Sequence, residues 1–271
     1  MTHARTIAGL HVEEAGEGRP VVLVHAGIAD AGMWEPQWHA WSGNRRLVRL
    51  DLRGFGRSSL ETGTFSWGGD LVAVLEELAL DRPAIVACSL GGRVALEVAV
   101  ARPDLVGALV LVAPGLPDQD WSPAVRAFGA AEESALEQGD LDAAAELNVR
   151  FWVDGPSRGS NEVPASIRDR VREMQRRAFE LQEGVDAGEA PLCPQLEERL
   201  AEIRLPTLIL VGELDVPDFA AIADRIAAAI PGAELATVPR AAHLPSLERP
   251  EAFDALVLPF LDGIPEAVPA R

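Results

Sequence analysis

Short, unbroken apolar runs recur along the first part of the chain at 21–25 (VVLVH), 47–51 (LVRLD), 84–88 (AIVAC) and 108–112 (ALVLV). Their β-branched content and lack of polar alternation predict parallel strands covered on both faces. Between them, 34–41, 70–80 and 90–101 carry helical patterns, each stopping near Gly, Asn or Pro. Strand and helix in alternation predict a doubly wound α/β fold.

The alternation breaks after residue 115. From 116 to about 203 no strand pattern stands out, and the composition shifts to Ala, Glu, Gln and Arg. Helices are expected at 122–138, 141–152 and 164–182, with Gly- and Pro-bearing loops at 154–160 and 184–194. Alternation resumes through 207–212, 219–230, 234–238 and 246–261. The expected organisation is an α/β core formed by 1–115 and 204–271, interrupted by a helical cap at 116–203. Insertions at strand C-termini commonly cover a site.

Composition narrows the chemistry. A chain of 271 residues can bury a core without disulfide or metal staples. Acidic residues number 42 against 24 basic ones, giving a formal charge of −18, and every basic residue is arginine. With no lysine there is no Schiff-base or ordinary pyridoxal chemistry, and no Walker phosphate loop. The acidic surface disfavours nucleic acid. Cys88 and Cys193 make no disulfide framework, and no Cys/His cluster has zinc spacing, so neither metal nor cofactor is expected. No secretory leader pattern opens the chain, and no apolar run approaches a membrane span; a soluble, cytoplasmic protein is expected.

The sharpest local signal is 87–92, Ala-Cys-Ser-Leu-Gly-Gly, at the end of a strand and the start of a helix. A nucleophile on so tight a turn needs small residues two positions to either side. Centred on Ser89 these are Ala87 and Gly91; centred on Cys88 they would be Val86 and Leu90, both bulky. The spacing therefore selects Ser89. The same turn aims the Leu90 N–H and a helix N-terminus at any oxyanion formed there.

A serine needs a base. Of five histidines, His243 sits in a loop between a late strand and the last helix, where it can overhang the C-terminal edge of the sheet. The strand at 207–212 runs into Glu213 and Asp215, and Asp215, further into the loop, is the better orienting acid. The order Ser89, Asp215, His243 matches one fold's triad order and not that of the proteases.

These residues carry a resemblance to the α/β-hydrolase superfamily that spans nearly the whole chain. VVLVHAG at 21–27 resembles its strand into the oxyanion loop, DLRGFGRS at 51–58 its Asp-x-Arg-Gly turn, and 87–92 its nucleophile elbow. PTLILVGELD at 206–215 resembles the acid strand, and AHLPSLERPE at 242–251 the histidine loop. The segment 33–37 and the small cap look most like 3-oxoadipate enol-lactonases and small carboxylic-ester hydrolases. The resemblance implies Ser89 as nucleophile, Asp215 as acid and His243 as base, with the Gly27 and Leu90 amides as oxyanion hole. His25 is structural in that pattern. Ala26 and Ala87 stand where the family usually has glycine. Ile28, Trp34 and Trp121 are the expected pocket-lining residues.

The expected function is hydrolysis of a small ester or lactone through an acyl-enzyme on Ser89. The same triad also serves acyl transfer, perhydrolysis and C–C bond hydrolysis, and the fold also occurs in non-catalytic ligand-binding proteins. Epoxide hydrolases and dehalogenases of the superfamily need an aspartate nucleophile, and the former need cap tyrosines; this chain has neither. A substrate bearing carboxylates would call for pocket arginines, for which Arg126, Arg150 and Arg158 are the candidates within the cap.

Overall fold

The computed structural model describes residues 2–264. The chain opens with an antiparallel pair, β1 (His3–Ile7) and β2 (Leu10–Ala15), followed by β3 (Arg19–Val24), α1 (Glu35–Trp41) and β4 (Arg45–Leu50). A short strand β5 (Gly63–Phe65) precedes α2 (Trp67–Glu77), β6 (Ala84–Cys88), α3 (Leu90–Ala101) and β7 (Ala108–Val112). The insert contributes α4 (Pro123–Glu137), α5 (Leu141–Asn148), α6 (Ala165–Gln182), β8 (Ala187–Glu189) and α7 (Leu196–Arg199). The chain then continues through β9 (Thr207–Gly212), α8 (Pro217–Ala229), β10 (Glu234–Val238), α9 (Pro245–Glu248) and α10 (Pro250–Gly263).

The main sheet runs β1-β2-β4-β3-β6-β7-β9-β10. It is parallel from β4 to β10, with β1 and β2 adding an antiparallel edge. Each central strand sends alternate side chains to opposite faces. Val22, Val24, Ile85, Ala87, Leu109 and Ile209 meet the layer of α2, α3 and α8. Val21, Leu23, Val86, Cys88, Val110 and Leu210 meet α1 and α10. Burial on both faces explains why these strands read as continuous apolar runs.

Two sequence expectations change here. The leading hairpin extends the sheet beyond the expected strands: exposed β1 forms the edge, and β2 (Leu-His-Val-Glu-Glu-Ala), with its polar positions, pairs with both β1 and β4. The stretch 116–203 is also not wholly helical. β8 pairs in parallel with β5, and Cys193, Leu196, Leu200 and Ile203 already belong to the core beneath α3. Only α4, α5 and α6 pack chiefly on one another, and the expected 141–152 helix divides into α5 and a π-helical turn, Val149–Asp154. The expected core segment ran to 271, but residue 1 and residues 265–271 lie outside the described residues.

Candidate active site

Ser89 sits between β6 and α3 with φ +52° and ψ −110°, a conformation that L residues other than glycine rarely adopt. The turn is fastened by Ser89 N–H to Val112 O at 2.9 Å and by Gly115 N–H to Ser89 O at 3.0 Å. Small neighbours are obligatory. A Cβ on Gly91 would fall 2.6 Å from His25 O and 2.7 Å from Val24 O, and one on Gly92 would fall 2.9 Å from Pro114 Cβ. The helix can thus start hard against β3. The Leu90 N–H opens α3, where no preceding helical carbonyl can reach it. Gly27 borders Leu90, since a Cβ there would meet the Leu90 side chain at 3.5 Å.

The loops after β9 and β10 supply the acid and the imidazole. Asp215 Oδ2 lies 2.9 Å from His243 Nδ1, and both side chains are buried. Asp215 Oδ1 accepts the Val216 N–H at 2.7 Å, which fixes the carboxylate. A carboxylate partner makes Nδ1 the protonated nitrogen and leaves Nε2 basic. Glu213, the other acid of this turn, is taken by the Arg240 N–H at 2.8 Å. The Cys88 thiol lies 3.7 Å from His243 O, which sets the histidine loop against the elbow. Burial pushes that thiol well above its usual range, so Cys88 stays protonated and unreactive.

The insert closes over the imidazole. The His243 N–H donates to Trp152 O at 3.2 Å, and the indole ring lies 4.8 Å from the imidazole. Phe219 of α8 packs on the imidazole at 4.4 Å and on Trp152 at 5.6 Å. Trp121 joins this cluster 5.8 Å from Phe219 and is half-buried. Ile28 is buried in the same apolar cluster as Val149, Val153 and Met174 of the insert. Trp34 does not face this space. It is fully buried beside Phe253 of α10, 6.1 Å away, because the turn leading into α1 rolls its side chain under the sheet.

A buried polar network shapes the loop after β3. His25 Nε2 accepts the Leu52 N–H at 2.9 Å while Nδ1 donates to Ala26 O at 2.8 Å; burial lowers its pKa, and the ring is neutral and structural. Asp51 accepts the N–H groups of Ala31 and Arg57 at 2.8 and 2.9 Å. Burial, with Asp51 nearby, raises the Asp30 pKa. Arg53 forks onto Asp70 at 2.9 and 2.8 Å, so the 51–58 turn is internal scaffolding.

Glu248 went unremarked in the sequence. Burial raises its pKa, yet the carboxylate accepts the N–H groups of Ala242 at 3.1 Å and Leu244 at 3.2 Å, on either side of His243. No local pattern announces such a role, because its partners are backbone amides and a distant arginine. Among the described residues, no cluster of three or more His, Cys, Asp or Glu side chains could hold a metal ion. Likewise, none of the helices described is long and apolar enough to cross a membrane.

A strained serine at a strand-to-helix turn, followed in the chain by an acid and a histidine that meet in space, defines a hydrolase of the α/β type. A sequence profile of the Alpha/beta hydrolase family matches residues 21–256, and the chain belongs to that family. It is 30% identical to a putative carbamate hydrolase RutD of Rhizobium rhizogenes, over 93% of this chain and 97% of that protein. Among solved structures it superposes on Est816, an N-acyl homoserine lactone degrading enzyme, with TM-score 0.73 and 26% identity over 95% of this chain and all (100%) of the other. The enol-lactonase of Burkholderia xenovorans LB400 shares the fold with TM-score 0.77 at 22% identity, over 96% of this chain and 100% of that one.

Proposed function

We propose that the protein hydrolyses a small carboxylic ester or lactone through an acyl-enzyme on Ser89. The observation that carries this reading is the buried Asp215–His243 pair, held against the serine elbow by the Cys88–His243 contact. Ser89 Oγ attacks the carbonyl carbon while His243 Nε2 takes the hydroxyl proton. Asp215 holds the ring and balances the imidazolium charge. The Gly27 and Leu90 amides receive the oxyanion. His243 then returns the proton to the leaving alkoxide, and water, activated by the same nitrogen, releases the acid. Est816 and the enol-lactonase, both lactone-acting by name, are consistent with this chemistry.

The test is hydrolysis of p-nitrophenyl acetate by the wild type and Ser89→Ala, with fluorophosphonate labelling in parallel. Activity should fall by about 10⁴-fold or more in the variant, and the adduct should map to Ser89. Equal rates, or no adduct, would reject the reading.

A further inference from the structure

The arginines that a charged substrate would need are engaged elsewhere. Arg126 bonds Asp120 and the Trp121 carbonyl, Arg150 bonds Glu146, and Arg158 bonds Glu248. The arginines of α6 are likewise held by acids of α5, of the π-helical turn or of α6 itself, or by backbone carbonyls of the core. What faces His243 is aromatic: Trp152 and Phe219, extended by Phe128 and Phe151 at 5.4 and 4.7 Å from Trp152.

Within the insert, one buried side-chain oxygen among the described residues has no hydrogen-bond partner, Oε1 of Gln175, on a residue only 5% exposed. Such orphans are rare and call for a reason. Its direction follows from the helix. On one flank of α6, Arg170 donates to Gly32 O at 2.6 Å and Met174 borders Gly32, facing the loop after β3. On the other flank, Arg172 and Arg176 bond Glu146 and Asp142 of α5. At 100° per residue, Gln175 lies between these flanks and opposite the exposed Glu173 and Glu180. Its neighbours on the same face, Val171 and Ala178, are buried in the apolar clusters that hold Ile28 and Val153 on one side and Leu116 and Val125 on the other.

We infer that the site takes an electrically neutral ester or lactone, its apolar part lying on the Trp152–Phe219 wall, with Gln175 as the specificity residue that hydrogen-bonds a polar group remote from the scissile carbonyl. The inference rests on the hydrolase reading above. An anionic arm would be buried without a cation, at a cost far larger than one neutral hydrogen bond returns. The amide can donate or accept, so a ketone, amide or hydroxyl arm suits it.

Three p-nitrophenyl esters of equal acyl length test this: hexanoate, 5-oxohexanoate and hydrogen adipate. The wild type should favour 5-oxohexanoate over hexanoate, with kcat/KM for the adipate ester at least about tenfold lower than for either. Gln175→Leu should cost the 5-oxohexanoate ester about 3- to 10-fold, mostly in KM, and leave hexanoate unchanged. Preference for the adipate ester, or an equal loss on both neutral esters, would overturn the inference. Binding of the methyl esters of the same acids to Ser89→Ala, read from tryptophan fluorescence, does not depend on turnover. The same order there supports the pocket even if the proposed hydrolysis fails, and a reversed order removes it.

Discussion

Arg158 and Glu248, ninety positions apart, meet at 2.6 Å and tie the insert to the loop that carries His243. Arg158 also donates to the carbonyls of Val153 and Asp154, next to Trp152. The carboxylate it holds in turn gathers the amides flanking the His243 imidazole. Both side chains are largely buried, so Arg158→Ala strands a carboxylate away from water. The expected loss is about 3–5 kcal/mol in urea unfolding. In assays kcat should fall more than KM changes, because the histidine loop slackens while the substrate wall remains.

The two acids after β9 separate cleanly by partner. Asp215→Asn leaves the geometry but favours the wrong imidazole tautomer, so kcat should drop by about 10⁴-fold. Glu213→Gln disturbs only the bond to the Arg240 amide and should leave kcat within about twofold. Steady-state kinetics on one ester decides the assignment; a larger effect at Glu213 would reverse it.

Glycines of the same type have opposite expectations. At Gly91 an added Cβ meets two backbone oxygens that cannot move without shifting β3, so Gly91→Ala should lose about 1–3 kcal/mol and most activity. At Gly129, inside α4, an added Cβ meets nothing within 4 Å, and Gly129→Ala should gain about 0.5–1 kcal/mol. Thermal melts of both variants measure the contrast.

Acid sensitivity has a named contributor. Burial alone would raise the Glu13 pKa, but hydrogen bonds from His11, Arg57 and Arg49 overcome it and bring the pKa from 4.5 to about 2. Since the folded-state value is the lower one, the stabilisation is full above 4.5 and is lost as pH falls toward 2. Glu13→Gln should therefore melt lower than the wild type near neutral pH, with the gap narrowing as pH falls below 4.5. A gap that stays constant with pH would show that these partners do not hold the carboxylate.

The sequence by itself determined the strand-and-helix order of the parallel core and the elbow. Both are written in local terms: continuous apolar runs for doubly covered strands, and small residues at fixed offsets around Ser89. It also placed Asp215 and His243 in the loops after two strands, where they meet, because β9 and β10 are legible from periodicity. The leading hairpin and the β5–β8 pair escaped notice, since an edge strand with one polar face and a three-residue strand carry little periodic signal. Only the tertiary structure decided which tryptophan reaches the site. Trp34 and Trp152 are equally apolar in the chain, but the turn before α1 tucks one beneath the sheet, and the π-helical turn lays the other on His243. It likewise decided that the insert's arginines are spent on acids and carbonyls while the Gln175 Oε1 is left without a partner. Pairings across tens of residues depend on how separate elements dock, and no periodicity along the chain records them.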